Sequence, residues 1–152
     1  MTGPVGARNL AATVGADTLA GRWGDAVRQA LADRDVVAAA RAARAPGTLL
    51  DVPDLLPTAE ELLERVISIA PTLHQLDGAL SPRTLAVVEQ RIAAANAEPP
   101  GERRTRQLEL LERQRATLRE LEERRTVLSR KIDSALLALA RLRYEAKRLR
   151  GR

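Results

Sequence analysis

Residues 102–150 read ERRTRQLELLERQRATLRELEERRTVLSRKIDSALLALARLRYEAKRLR, with no Gly or Pro in the run. Pro99-Pro100-Gly101 precedes it and Gly151 follows it. The pattern predicts one uninterrupted helix, about 74 Å long at 1.5 Å per residue. Most globular helices run about 11–12 residues, so a rod of this length reads as a coiled-coil arm. Leu111, Leu118, Arg125, Ile132, Leu139 and Ala146 recur every seven residues, and Leu121, Leu128, Ala135, Leu142 and Leu149 form a second line. Arg125 is the one polar residue among them, and a single polar seam position can set register or oligomeric state. Off the seam, Glu102–Arg106, Glu109–Arg113 and Glu120–Arg124 stand in the favourable i,i+4 order.

Working towards the N-terminus, Glu98-Pro99-Pro100-Gly101 is a tight connection that should turn the long helix back on the one before it. That helix opens at Ser81-Pro82, a start signal, and runs to about Asn96 with Leu85, Val88, Ile92 and Ala95 on one stripe. Before it, Thr58 and Glu61 match a capping box. Leu62, Leu63, Val66, Ile67, Ala70 and Leu73 follow at helical spacing. Pro71 should kink this helix, and Asp77-Gly78 should interrupt it. Pro46, Pro53 and Pro57 mark residues 46–57 as a connector. Residues 16–45 read as a helix capped by Asp17, with Leu19, Ala26, Val27, Ala30, Leu31, Val37 and Ala38 apolar. Gly21 and Gly24 should weaken its first turns. Residues 1–15 read as a loose tail.

The expected fold is all-α: an elongated antiparallel helical hairpin over residues 58–150, with an additional N-terminal helix. The broken arm is 58–96 and the continuous arm 102–150, pairing as a coiled coil. The N-terminal helix would cover the far end or join a second chain.

Composition agrees with layered helices. The chain of 152 residues is 45% hydrophobic, mostly Ala, Leu and Val, with Trp23, Tyr144 and no Phe. Such residues suit thin helix–helix contacts better than a deep core. The lack of Cys rules out disulfides and thiolate metal sites. No apolar run approaches the roughly 20 residues of a membrane span, and Met1–Arg8 does not look like a signal peptide. The expected location is cytoplasmic.

The net charge of +5 hides an asymmetry: residues 1–100 carry −3 and residues 101–152 carry +8. Arg141, Arg143, Lys147, Arg148, Arg150 and Arg152 crowd the end and are candidate contacts for a polyanion. A solvated helix face is the plainer reading of such a run. Few aromatics are available to stack bases, and no helix-turn-helix or zinc-finger spacing occurs.

Catalytic chemistry finds little support. His74 is the only histidine, and its position near the helix break suits packing or capping. Glu60, Glu61 and Glu64 look like first-turn carboxylates favoured by the helix dipole. No phosphate-binding loop is present. Neither a catalytic residue nor a metal ligand is expected, and no cofactor is implied.

Two stretches carry a resemblance. One is Pro57-Thr58-Ala59-Glu60-Glu61-Leu62-Leu63-Glu64-Arg65-Val66 with Ala70-Pro71-Thr72-Leu73-His74-Gln75-Leu76-Asp77. The other is Leu110-Leu111-Glu112-Arg113-Gln114-Arg115 leading to Ala135-Leu136-Leu137-Ala138-Leu139-Ala140-Arg141-Leu142-Arg143. Together they resemble the C-terminal helical region of certain bacterial serine/threonine protein kinases, over roughly residues 50–150. The resemblance implies a non-catalytic regulatory arm. The glycine-rich loop, strand lysine, catalytic loop and D-F-G motif are all absent from this chain, so no catalytic residue carries over. Tyr144-Glu145-Ala146-Lys147-Arg148 departs from the acidic–leucine run expected of that family.

The functional expectation is a non-enzymatic coiled-coil interaction or oligomerisation module. Its seam would be Leu111, Leu118, Leu121, Arg125, Leu128, Ile132, Leu139, Leu142 and Leu149, meeting a protein partner or a second copy. The alternative is a nucleic-acid-binding protein using the basic end.

Overall fold

The computed structural model describes residues 15, 18–43 and 54–151. The described residues form four helices and no strand: α1 Arg22–Ala42, α2 Leu56–Ala79, α3 Pro82–Ala97 and α4 Glu102–Arg150. The long helix expected from the breaker-free run is present from its first residue to its last. Asp17, most of the tail and of the connector, and Arg152 lie outside the described residues.

Helix starts are where the sequence reading needs correction. Gly21, not Asp17, is the N-cap of α1, with φ of 79°, a backbone that side-chain-bearing residues rarely adopt. Gly24 is buried, and a Cβ on it would stand 1.8 Å from the Leu19 carbonyl oxygen. Both glycines are therefore requirements of the entry into α1, not weaknesses in it. In α2, the Leu56 N–H donates to Asp54 Oδ1 at 3.2 Å, and Thr58 already lies inside the helix. The expected capping box is thus replaced by a cap from Asp54, because Pro57 fits the first turn, where N–H groups have no helical partner anyway. Glu60, Glu61 and Glu64 consequently fall beyond the first turn, which holds no acidic residue.

Pro71 sits inside α2 without ending it, and the helix also passes through Asp77-Gly78 to Ala79. The break comes at Leu80-Ser81. Pro82 bars the preceding residue from helical geometry, and Ser81 is extended, with φ −77° and ψ 148°. Proline, not glycine, fixes the end of this segment.

Contacts divide the chain into two units, one of residues up to His74 together with Ser129 onwards, the other Gln75–Leu128. In the first unit, α1 lies beside the end of α4. Arg22 meets Asp133 at 3.9 Å and Asp33 meets Arg143 at 2.8 Å, so α1 and α4 ascend in the same direction. Arg41 at the end of α1 meets Asp54 before the start of α2 at 3.4 Å. The core of this unit is Trp23, Val27, Ala30 and Val37 from α1, Leu63, Val66, Ile67, Ala70 and Leu73 from α2, and Ile132, Ala135, Leu139 and Ala146 from α4, all buried. Each fully buried aliphatic side chain of this kind contributes roughly 1.5–3 kcal/mol. Trp23 is 3% exposed and Arg22 lies over its ring, 4.3 Å from the centroid.

In the second unit, Val88, Ile92 and Ala95 of α3 form a cluster with Leu111 of α4, flanked by Leu108 and Leu118. Polar contacts pair the two chain segments in opposing order. Arg104 donates to the Glu98 carbonyl, Arg115 and Arg119 meet Glu89, and Arg125 meets Asp77.

Candidate functional site

The expected coiled-coil residues of α4 are the first candidates. Leu111, Ile132 and Leu139 are buried, and Leu118, Leu121, Leu128, Leu142 and Leu149 are half-buried. This burial arises within a single chain. The line that the heptads mark as an interface is covered at Leu111, Ile132 and Leu139 and partly covered elsewhere by the chain's own residues. It holds the fold and is not a free surface waiting for a partner.

Arg125 has a specific place in this line. Its Nη1 lies 3.4 Å from the Leu80 carbonyl oxygen and 3.7 Å from Asp77 Oδ1. Leu80 follows directly on α2, whose last carbonyls lack helical partners and carry the negative end of the helix dipole. A guanidinium there answers both the carbonyl and the dipole. The polar interruption of the heptads thus meets the break between α2 and α3.

A second polar group lies in the first unit and was not anticipated as a site. Asp33 is 2% exposed and is the only charged residue among the buried described ones. It accepts hydrogen bonds from Arg143 and from Gln29 Nε2, each at 2.8 Å. The Arg143 guanidinium is held above its ordinary range, first by its hydrogen bond with Tyr144 and then by the charge of Asp33. Its carbon lies 4.8 Å from the Tyr144 ring centroid, and its Nε is buried without a hydrogen-bond partner. Asp33 falls in phase with Trp23, Val27, Ala30 and Val37. That periodicity was the signal for it, hidden by the habit of reading stripes in apolar residues only.

This pairing also corrects the basic end. Arg143 was grouped with the polyanion candidates, but it is directed at Asp33. Arg141, Lys147, Arg148 and Arg150 are exposed, and Arg148 meets Glu145 at 2.7 Å. Lys147 and Arg150 border a shallow groove of about 320 Å³ floored by Val36, Ala39, Ala40 and Ala146, with Asp35 opposite. Helical periodicity sets Arg141 and Arg148 a heptad apart on one side of α4, with Lys147 and Arg150 on others.

His74 is exposed within α2, before its last turn, so neither packing nor capping explains it. Among the described residues, no three His, Cys, Asp or Glu side chains gather as a metal site would require, and no helix is long and apolar enough to cross a membrane. Among the described residues, four large apolar side chains are exposed, all on α4: Leu110, Val127, Leu137 and Tyr144.

Comparison with protein families, curated proteins and solved structures finds no match for this chain.

Proposed function

We propose that the chain is a non-enzymatic helical interaction module. Its heptad line pairs α4 with the chain's own helices as an antiparallel, coiled-coil-like hairpin, and its remaining helix surface meets a protein partner or a second copy. One observation carries this reading. On the 49-residue α4 lie the four large hydrophobics that are exposed among the described residues. Leu137 and Tyr144, one heptad apart on the same helix, are near enough to act as one apolar contact, the kind of exposed patch that marks an interaction surface. If the sequence resemblance to the C-terminal region of bacterial serine/threonine kinases holds, the module would be a regulatory arm.

The second reading, polyanion binding, is favoured by the exposed Arg141, Lys147, Arg148 and Arg150. The two separate in solution. The full chain is measured by sedimentation across concentration, and by titration with mixed-sequence DNA, at about 50 and about 150 mM salt. Protein pairing predicts assembly that survives the higher salt, since buried apolar area is not screened. Polyanion binding predicts a log affinity that falls steeply with log salt, with a slope flattened by removing those four cations. A chain that never assembles and holds DNA tightly at about 150 mM salt would replace the first reading with the second.

A further inference from the structure

On α4, within the first unit, a second line of residues recurs at alternating spacings of four and three: Arg130, Ser134, Leu137, Arg141, Tyr144 and Arg148. All six are exposed. The spacing is that of a coiled-coil seam, displaced around the helix from the buried line of Ile132, Ala135, Leu139, Leu142 and Ala146. Leu137 is 73% exposed and Tyr144 64%. They are one heptad apart, about 10.5 Å along the axis, which is the repeat of an opposing helix.

Tyr144 is held in place from beneath. Its ring lies against the Arg143 guanidinium, and that guanidinium is anchored on buried Asp33. Tyrosine, with only two side-chain torsions, loses little rotamer entropy when a partner covers it, a property of interface anchors.

Charge decides between occupants. Arg130 and Arg141 have no ion-pair partner among the described residues, and Arg148 shares Glu145. A second copy on this line would oppose arginines. A parallel two-fold sets each against its own image, and an antiparallel one centred between Leu137 and Tyr144 brings Arg141 to Arg141. Like charges so placed are unfavourable. A phosphate backbone would satisfy the arginines but gains nothing from Leu137, and one tyrosine makes a poor stacking platform. We propose that this line docks an acidic amphipathic helix of a different protein, its apolar residues over Leu137 and Tyr144 and its carboxylates against Arg130, Arg141 and Arg148. The proposal rests on the module reading above and names the chemistry of its partner.

The test uses the full chain and a synthetic helical peptide of several heptads. The peptide carries Leu at both seam positions and Glu at the flanking ones, so that it repels itself at neutral pH. Binding is followed by fluorescence anisotropy at about 150 mM salt, with a composition-matched scrambled peptide, polyglutamate and duplex DNA as comparison probes. The expected result is binding of the amphipathic peptide over the other three. Leu137→Ser with Tyr144→Ser should weaken it about tenfold or more, as should Arg141→Glu. All three positions are exposed, so circular dichroism should show these variants folded.

Equal binding of polyglutamate or DNA, unchanged by Leu137→Ser with Tyr144→Ser, would overturn the proposal in favour of a plain polyanion surface. Self-assembly abolished by that double variant, without peptide binding, would overturn it in favour of a second copy. Absence of peptide binding while self-assembly persists in the double variant would remove this line as a docking surface and leave the module reading standing. The module reading itself fails only on the sedimentation and DNA result described above.

Discussion

Gly24→Ala and Gly78→Ala are the same chemical change in two helices, and the structure gives them opposite signs. By propensity alone, Ala for Gly inside a helix stabilises by about 0.8–1.0 kcal/mol. Gly78 has nothing within 4 Å of an added Cβ, so Gly78→Ala should keep most of that gain. At Gly24 the new carbon would stand 1.8 Å from the Leu19 carbonyl oxygen and 2.7 Å from its carbon, where real Cβ contacts stay beyond 3.0 Å. Backbone, not a pliable side-chain tip, must retreat. The preceding residue is Trp23, buried and covered by Arg22, so the displacement reaches the core. Overpacking of this kind costs about 1–3 kcal/mol. A backbone collision belongs at the upper end, which leaves a net loss of about 2 kcal/mol after the propensity gain. For a chain of this length, that corresponds to a Tm lowered by about 4–8 °C, against a rise of about 2–4 °C or less for Gly78→Ala. Thermal unfolding followed by circular dichroism, with a calorimetric check that the transition is two-state, reads both. A Gly24→Ala protein as stable as the parent, or more so, would refute the close approach of Leu19 and with it the described entry into α1.

Leu139 is fully buried and Leu121 only half-buried, so Leu139→Ala should cost about 2–5 kcal/mol and Leu121→Ala clearly less in denaturant unfolding; Glu120→Gln, on the exposed side, should be nearly silent. Asp33→Ala should lower the Tm more than Asp35→Ala, because it strands Arg143 while Asp35 is exposed; joining it with Arg143→Met should recover part of the loss in a double-mutant cycle. Arg125→Met should cost roughly 0.5–1.5 kcal/mol through the contacts to Leu80 and Asp77, and amide exchange should quicken first around residues 76–81.

The long helix was fully legible, because nothing in 102–150 can stop a helix and the apolar residues repeat too regularly for anything else. The start of α3 was legible for a similar reason: Ser81-Pro82 is a local signal that needs no tertiary partner. What failed at the helix starts was a choice between competing local signals. Gly21 and Gly24 looked like weak helix formers because neither the left-handed φ of Gly21 nor the approach of the Leu19 carbonyl to Gly24 announces itself in sequence. Thr58 and Glu61 satisfied a capping pattern that Asp54 and Pro57, a few residues upstream, had already made redundant. Of the seam residues the heptads marked on α4, Leu111, Ile132 and Leu139 are buried and the other leucines half-buried, because the repeat gives a phase around the helix and not the depth of cover at each turn. Asp33 was missed because its partner is 110 residues away. The exposure of Leu137 and Tyr144 depends on which side of α4 its neighbours leave open.

The two ion pairs between α1 and α4 also encode a direction. The buried stripe of α1 is asymmetric, with Trp23 near its start and Val37 near its end, so packing already favours one direction. Charge order adds to it. As observed, Arg22 faces Asp133 and Asp33 faces Arg143. Turned end for end on the same stripe, α1 would bring Arg22 towards Arg143 and the buried Asp33 towards Asp133, two repulsions in place of two attractions. The vectorial sense of this helix is thus reinforced by four residues, and a charge swap confined to one of the two pairs should weaken that preference.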